Sequence, residues 1–242
     1  MEDLNNSRDQ KWIKHYSSSH TILLVGEGDF SFSTCLATTF GSAANMVATS
    51  LDSKESLLSK YTHVATNLKE LEELGCTVAH DVDATSMSQH PLLRHKSFDR
   101  VVFNFPHAGF HFKESDIRQI ELHRHLVRGF LRNAKEFLGE EGEIHITHKT
   151  AHPFSRWEIV ELAREEGLLL KEEPNFFLWE YPNYENKRGD GWNSDGTFPV
   201  GACRTFKFAI TDDDQSDSSF EALIQSLCLT EDIIDDHSLN YL

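Results

Sequence analysis

Short apolar runs alternate with stretches of helical spacing along most of the chain. Residues 20–26 (HTILLVG) form an apolar run that stops at a glycine, the pattern of a strand buried on both faces. The same pattern predicts strands over 45–51 (NMVATSL), 76–80, 98–105 (FDRVVFNF), 142–147 (GEIHIT), 168–171 and 204–210. Residues 31–39, 54–74, 114–138 and 155–166 have helical spacing, with a break expected near Tyr61-Thr62. In the longest helix, Ile120, Val127, Leu131, Ala134 and Leu138 share an apolar face, and Arg124, Arg128, Arg132 and Lys135 form a basic stripe. Ser155, with Glu158 three residues on, reads as a capping box, and Gly167 ends that helix.

This alternation predicts an α/β fold with a mostly parallel sheet and helices on both faces. Residues 1–19 are polar and expected to be flexible, and 20–210 are expected to form one domain. Residues 211–242 read as an acidic, disordered tail, in which Phe220, Leu223, Ile224 and Leu227 keep a weak amphipathic pattern that would suit a protein partner. Residues 182–203, rich in Gly, Asn and Asp, predict a long surface loop of the kind that often carries function.

Composition changes this picture in three places. No apolar run is long enough to span a membrane, and the N-terminal MEDLNNSRDQKW lacks the apolar core of a secretory signal, so the protein is expected not to be secreted. Cys35, Cys76, Cys203 and Cys228 contain no CxxC pair and read as reduced thiols, not as a disulfide framework or a zinc site. With 23 Lys and Arg against 39 Asp and Glu, the net charge of −16 argues at first against a polyanionic partner. However, nine of those excess negative charges fall in residues 211–242, which contain no Lys or Arg.

Candidate chemistry sits at four successive strand ends. After the first strand, Gly26, Glu27, Gly28, Asp29, Phe30 and Ser31 run into a helix. The glycines permit a tight turn and close backbone approach, and the helix N-terminus offers free N–H groups. A dinucleotide fingerprint would place glycine where Ser31 stands, and two acids would repel a pyrophosphate. They suit a ligand with an ammonium or sulfonium, and S-adenosylmethionine (SAM) carries both. A plain glycine turn is the alternative. After the second strand, Asp52 is placed to accept from ribose hydroxyls, or else Asp52 or Ser53 caps the next helix. After the third, Asp83 and the Ala84 N–H suit an adenine edge, unless Asp83 simply forms an Asx turn. After the fourth, Asn104, Phe105, Pro106 and His107 resemble the segment with which methyltransferases hold a planar nitrogen, a strand-ending turn being the alternative. Seven histidines fall between His107 and His152, but no HExxH occurs and His123 and His125 do not share a helical face, so no metal site is read.

GEGDFSFS (26–33), Val82-Asp83-Ala84-Thr85 and FDRVVFNFPHAG (98–109) together resemble the eukaryotic large-subunit (25S) rRNA (uridine-N(3))-methyltransferase-like domain. The resemblance covers roughly 20–210 and includes GEIHITHKT and Pro153-Phe154-Ser155-Arg156-Trp157, and the 184–191 segment is similar to the plant-type branch. It implies a Rossmann-like class I SAM-dependent methyltransferase fold, SAM as cofactor and rRNA as partner, with a nuclear or nucleolar location. On this reading His107 accepts the N3 proton, Asn104 and the Phe105 carbonyl orient the ring, and Phe105 or Phe110 stacks on it. Lys113, Lys149, Lys187 and Arg188 are the expected substrate contacts. Arg118, Arg124, Arg128 and Arg132 are further phosphate candidates, or else a solvated helix face with Glu–Arg pairs. A monomer is expected. Other functional readings are a non-catalytic interaction module, an NAD(P)-dependent enzyme, and a methyltransferase with a protein or small-molecule acceptor.

Overall fold

The structure, a computed structural model, describes residues 10–210. The acidic tail, with its amphipathic segment and Cys228, lies outside the described residues. A small hairpin, β1 (Trp12–Ile13) and β2 (Tyr16–Ser17), precedes the main sheet. The sheet contains β3 (Ile22–Val25), β4 (Met46–Thr49), β5 (Thr77–Ala79), β6 (Phe98–Asn104), β7 (Leu138–Lys149), β8 (Leu168–Glu172) and β9 (Cys203–Ile210). The helices are α1 (Ser31–Phe40), α2 (Lys54–Lys60), α3 (Val64–Glu73), α4 (Ile117–Lys135) and α5 (Ile159–Glu165). The break expected near Tyr61 separates α2 from α3.

The strand order is β5-β4-β3-β6-β7-β9-β8, and β9 alone runs antiparallel to its neighbours. Side chains alternate across each strand. Leu23, Val25, Val101 and Phe103 therefore join α4 and α5 in one core, while Ile22, Leu24, Ala48 and Val102 join α1 and α3 in the other. Burial on both faces explains why the strands read as unbroken apolar runs. The chain moves outward from β3 to β5, then returns to β6 on the other side of β3. The C-terminal ends of β3 and β6 thus border the switch point, where open α/β sheets bind ligands.

Three local expectations are corrected. The flexible segment expected through residue 19 gives way to the hairpin, whose Ile13 and Tyr16 are buried against α1 residues. Leu138 opens β7 and does not end α4. The helix expected over 155–166 is split: Phe154–Trp157 is a 3-10 turn, Glu158 takes φ 53, and α5 starts at Ile159. No capping box forms there, because the chain turns to bury Trp157 against His123 and His148. The surface loop expected after Tyr181 is present, and contacts at a few residues tie it down as a strap. Tyr184 lies edge-on to Phe32, and buried Asn186 donates to the Phe198 carbonyl.

Candidate active site

The glycine turn after β3 is tight. Gly26 has φ +68, and a Cβ there would lie 2.4 Å from Phe103 Cε2 on β6. At Gly28 an added Cβ would lie 3.1 Å from Tyr61 Oη. Phe30, left-handed at φ 63, ends the loop with its ring buried and provides no side-chain cap to α1. The two acids cap the helix instead. Ser33 donates its N–H (3.1 Å) and Oγ–H (2.6 Å) to Glu27 Oε2, and the Ser31 N–H donates to Asp29 Oδ1 at 3.0 Å. Burial pushes the Glu27 carboxyl up to about 7 against the opposing Ser33 hydrogen bonds, and burial raises Asp29 as well. Ser31 Oγ exchanges hydrogen bonds with the backbone of Glu185 and fastens the strap.

These residues wall a cavity of about 590 Å³. Gly26, Glu27, Gly28, Asp29, Asp52, Asp83 and Ala84 line it; Phe30 and Ser31 shape it from behind. Ser53, not Asp52, caps α2. Asp52 instead accepts Lys60 Nζ on both oxygens, at 2.7 and 2.8 Å. Asp83 Oδ1 accepts the N–H and hydroxyl of Thr85, each at 2.8 Å, so the Asx-type turn exists and its exposed carboxylate still faces the chamber.

Asn104 ends β6 on the wall of this chamber, and both its amide atoms, Oδ1 and Nδ2, are buried without a hydrogen-bond partner. Phe105 follows in the left-handed region at φ 50, held by its N–H donating to Thr147 O at 2.8 Å. Its ring packs edge-on against Phe176 and Phe198. Beyond it opens a second cavity of about 310 Å³, lined by Phe110, Phe112, Phe154, Trp157 and Phe198 with Lys113, Lys149 and Arg188. Lys149 Nζ sits 4.8 Å from the Phe154 ring centre and 4.7 Å from that of Phe198, and the Arg188 guanidinium lies 4.9 Å from Phe110. Partial burial lowers the Lys149 ammonium below the usual lysine range. Phe105, His107, Lys187 and Arg188 line both cavities, so the two chambers share a wall.

All five expected substrate contacts, Phe110, Lys113, Lys149, Lys187 and Arg188, line the second chamber. Lys187 is nevertheless a correction to the flexible-loop phosphate contact. Its side chain is only 7% exposed and sits between Asp195 and Glu185, both at 2.9 Å, and Asp29 at 3.6 Å. The basic stripe of α4 is also spoken for: Arg124 pairs with Glu158, Arg128 with Glu165, and Arg132 with Glu166, tying α4 to the α5 region. Arg118 is paired with Asp116.

The sequence reading missed Glu114. Its Oε1 lies 2.8 Å from His107 Nε2, and its Oε2 lies 3.4 Å from His123 Nε2. Burial opposes ionisation of Glu114, but its contacts with His107 and then His123 outweigh burial and hold the carboxyl down at about 2. His123 is wholly buried, stacked on Trp157, with Nδ1 accepting the Ala108 N–H at 3.1 Å. His107 Nδ1 is buried and has no partner. The available signal was the Gln119–His123 pair, one turn apart on the buried face of α4. No motif marks Glu114.

Known proteins support the fold read from this geometry. Residues 23–188 match the family described as rRNA (uridine-N3-)-methyltransferase BTM5-like. An uncharacterized protein of Arabidopsis thaliana is 55% identical over 202 residues, covering 82% of this chain and 97% of its own. The heavy metal-associated isoprenylated plant protein 41 of Arabidopsis thaliana is 52% identical over 211 residues, covering 86% of this chain but 41% of that protein. The 25S rRNA (uridine(2634)-N(3))-methyltransferase of Saccharomyces cerevisiae is 25% identical over 233 residues, covering 74% of this chain and 69% of its own. Among solved structures, the glycopeptide N-methyltransferase MtfA complexed with sinefungin superposes with a TM-score of 0.50 at 12% identity, covering 78% of this chain and 80% of that one. The fold is the Rossmann-like class I fold of SAM-dependent methyltransferases.

Proposed function

Because the chain belongs to the rRNA (uridine-N3-)-methyltransferase BTM5-like family, we propose that it transfers a methyl group from SAM to the N3 ring nitrogen of a uridine in rRNA. The observation that carries this reading is the pair of adjoining chambers, one acidic and one aromatic and basic, whose common wall is the segment after β6.

The acidic chamber fits SAM. Gly26 leaves no room for a side chain, so backbone lines that part of the chamber. Glu27 and Asp29 add negative charge for the cationic end, Asp83 and the Ala84 N–H suit the adenine, and Asp52 suits the ribose from its place beside Lys60. When bound, SAM supplies an electrophilic methyl carbon: the N3 electron pair bonds to it as the carbon–sulfur pair returns to sulfur. The protein's own task is to hold the uracil and to take its N3 proton. The unpartnered Asn104 amide offers one donor side and one acceptor side to a planar ring with carbonyls beside an N–H. The aromatic chamber suits the ring, with Phe110 as a stacking face, and Lys113, Lys149 and Arg188 suit flanking phosphates. His107 accepts the proton. A base inside a helix must be flipped or single-stranded to enter. An rRNA substrate is in keeping with a nuclear or nucleolar location.

The test is to map N3-methyluridine by mass spectrometry in RNA from cells with and without this protein, alongside transfer of labelled methyl from SAM to RNA by the full chain. A uridine that loses N3 methylation with the protein is the expected result. Unchanged N3-methyluridine with intact SAM binding would overturn the reading in favour of another acceptor or a non-catalytic role.

A further inference from the structure

We propose that Glu114 is a positioning residue for methyl transfer, holding His107 in the tautomer whose Nδ1 is free to accept the uridine N3 proton. The proposal rests on the functional reading above. It follows from what each atom can do. An ionised carboxylate only accepts hydrogen bonds. Glu114 Oε1 is 2.8 Å from His107 Nε2, so Nε2 carries the proton and donates it. In the neutral imidazole the lone pair is then on Nδ1, the atom that is buried and lacks a partner. Phe110 packs against the ring with centroids 4.2 Å apart, and the His123 ring lies on it at 4.4 Å, so the imidazole is held in place as well as in tautomer.

His123 lies near the second oxygen of Glu114, which has no hydrogen-bond partner. The Ala108 N–H is a donor only, so His123 Nδ1 must present its lone pair at 3.1 Å. The proton of neutral His123 therefore sits on Nε2, 3.4 Å from Glu114 Oε2. Gln119 Nε2 lies 3.0 Å from that nitrogen and donates one of its two hydrogens to the Gly109 carbonyl at 2.7 Å, while Gln119 Oε1 accepts the N–H groups of His111 and Phe112. The three ligand-type atoms of His107, Glu114 and His123 lie within 4.8 Å of one another, a spacing that would also suit a metal ion. His123 argues against that occupant. A neutral imidazole that binds metal through one nitrogen donates through the other, and here the other nitrogen accepts.

The experiment uses the full chain with its histidines labelled with nitrogen-15, the His107 signals being identified by their loss in His107→Asn. Wild-type protein is expected to show a protonated Nε2 and an unprotonated Nδ1. Glu114→Gln, whose amide can turn to donate, is expected to show a mixture of tautomers. In the same variant kcat for methyl transfer should fall about 100-fold or more, with the KM for SAM unchanged, and Glu114→Asp should recover part of the loss. A protonated Nδ1 in wild type would overturn the proposal, as would a wild-type kcat in Glu114→Gln. So would one equivalent of zinc, added alone, that binds wild type and not Glu114→Gln. The tautomer is read without turnover, so a wild type with the expected tautomer and no transfer to uridine would fail the functional reading and leave the geometry standing.

Discussion

The two chambers are neighbours built on opposite principles. The acidic one joins a glycine turn after β3 to six carboxylates, those of Glu27, Asp29, Asp52, Asp83, Glu185 and Asp190, with apolar side chains such as Phe103 and Leu126 between them. The aromatic one gathers phenylalanines and a tryptophan from three separate segments, faced by cations. In the first, the acids are engaged with the fold itself. Glu27 and Asp29 cap α1, and Asp52 holds Lys60. In the second, the cations lie over rings, where phosphate can still reach them. The contrast resolves the charge problem posed by the sequence. An acidic protein can present a local cationic patch where its Lys and Arg gather, here Lys113, Lys149 and Arg188 around the second chamber.

The comparison is most exposed at the shared wall. Asn104→Ala should lower kcat by on the order of 100- to 1000-fold, as loss of a preorganised hydrogen-bonding group does. SAM affinity should stay near wild type, read by calorimetry beside single-turnover transfer. A matching collapse of SAM binding would assign Asn104 to the acidic chamber alone. Next comes Gly26→Val, which should weaken SAM about 100-fold, the equivalent of roughly 3 kcal/mol of backbone strain. RNA binding should survive, with circular dichroism confirming the fold. Lys149→Ala or Arg188→Ala should weaken RNA several-fold and make the dependence of log K on log salt shallower by about one, leaving SAM untouched. Arg128→Ala, on the paired stripe, should change neither and should shift stability by less than about 1 kcal/mol.

The smallest effect is a pH dependence. Burial holds the Glu27 carboxyl at about 7, so it is largely neutral below that pH and anionic above it. A cationic ligand should therefore bind more tightly as pH rises through about 7, releasing a proton, and Glu27→Gln should flatten that rise in calorimetric titrations. Stability runs the other way. A carboxyl whose folded value is raised favours the protonated fold, so its contribution is present at low pH and lost as pH climbs from the ordinary carboxylate range of ~4.3 towards 7.

The sequence exposed the acidic chamber far better than the aromatic one. Gly26, Gly28 and Asp83 follow strands and Asn104 ends one, and a parallel sheet puts successive strand ends at one edge, so their convergence was readable from the strand pattern. The aromatic chamber gathers Phe110, Phe154 and Phe198 from segments far apart in the chain, and only the fold brings them together. Lys187 was misread for the same reason, while for the α4 arginines the Glu–Arg pairing left open as the alternative is the one that forms. Lys187 looks free in a polar loop until Asp29, Glu185 and Asp195 close around it, and the α4 arginines look free until the α5 region arrives. Glu114 carries no local signature, since its meaning depends on His107 and on a helix that returns His123 to the same place.

The wall common to both chambers has a thermodynamic consequence. Phe105, His107, Lys187 and Arg188 touch both cavities, so filling one alters the surroundings of the other. Any coupling between occupants of the two chambers is reciprocal: whatever factor one ligand applies to the affinity of its neighbour, the neighbour returns. That partition is where such a coupling would be carried, by side chains that both occupants touch.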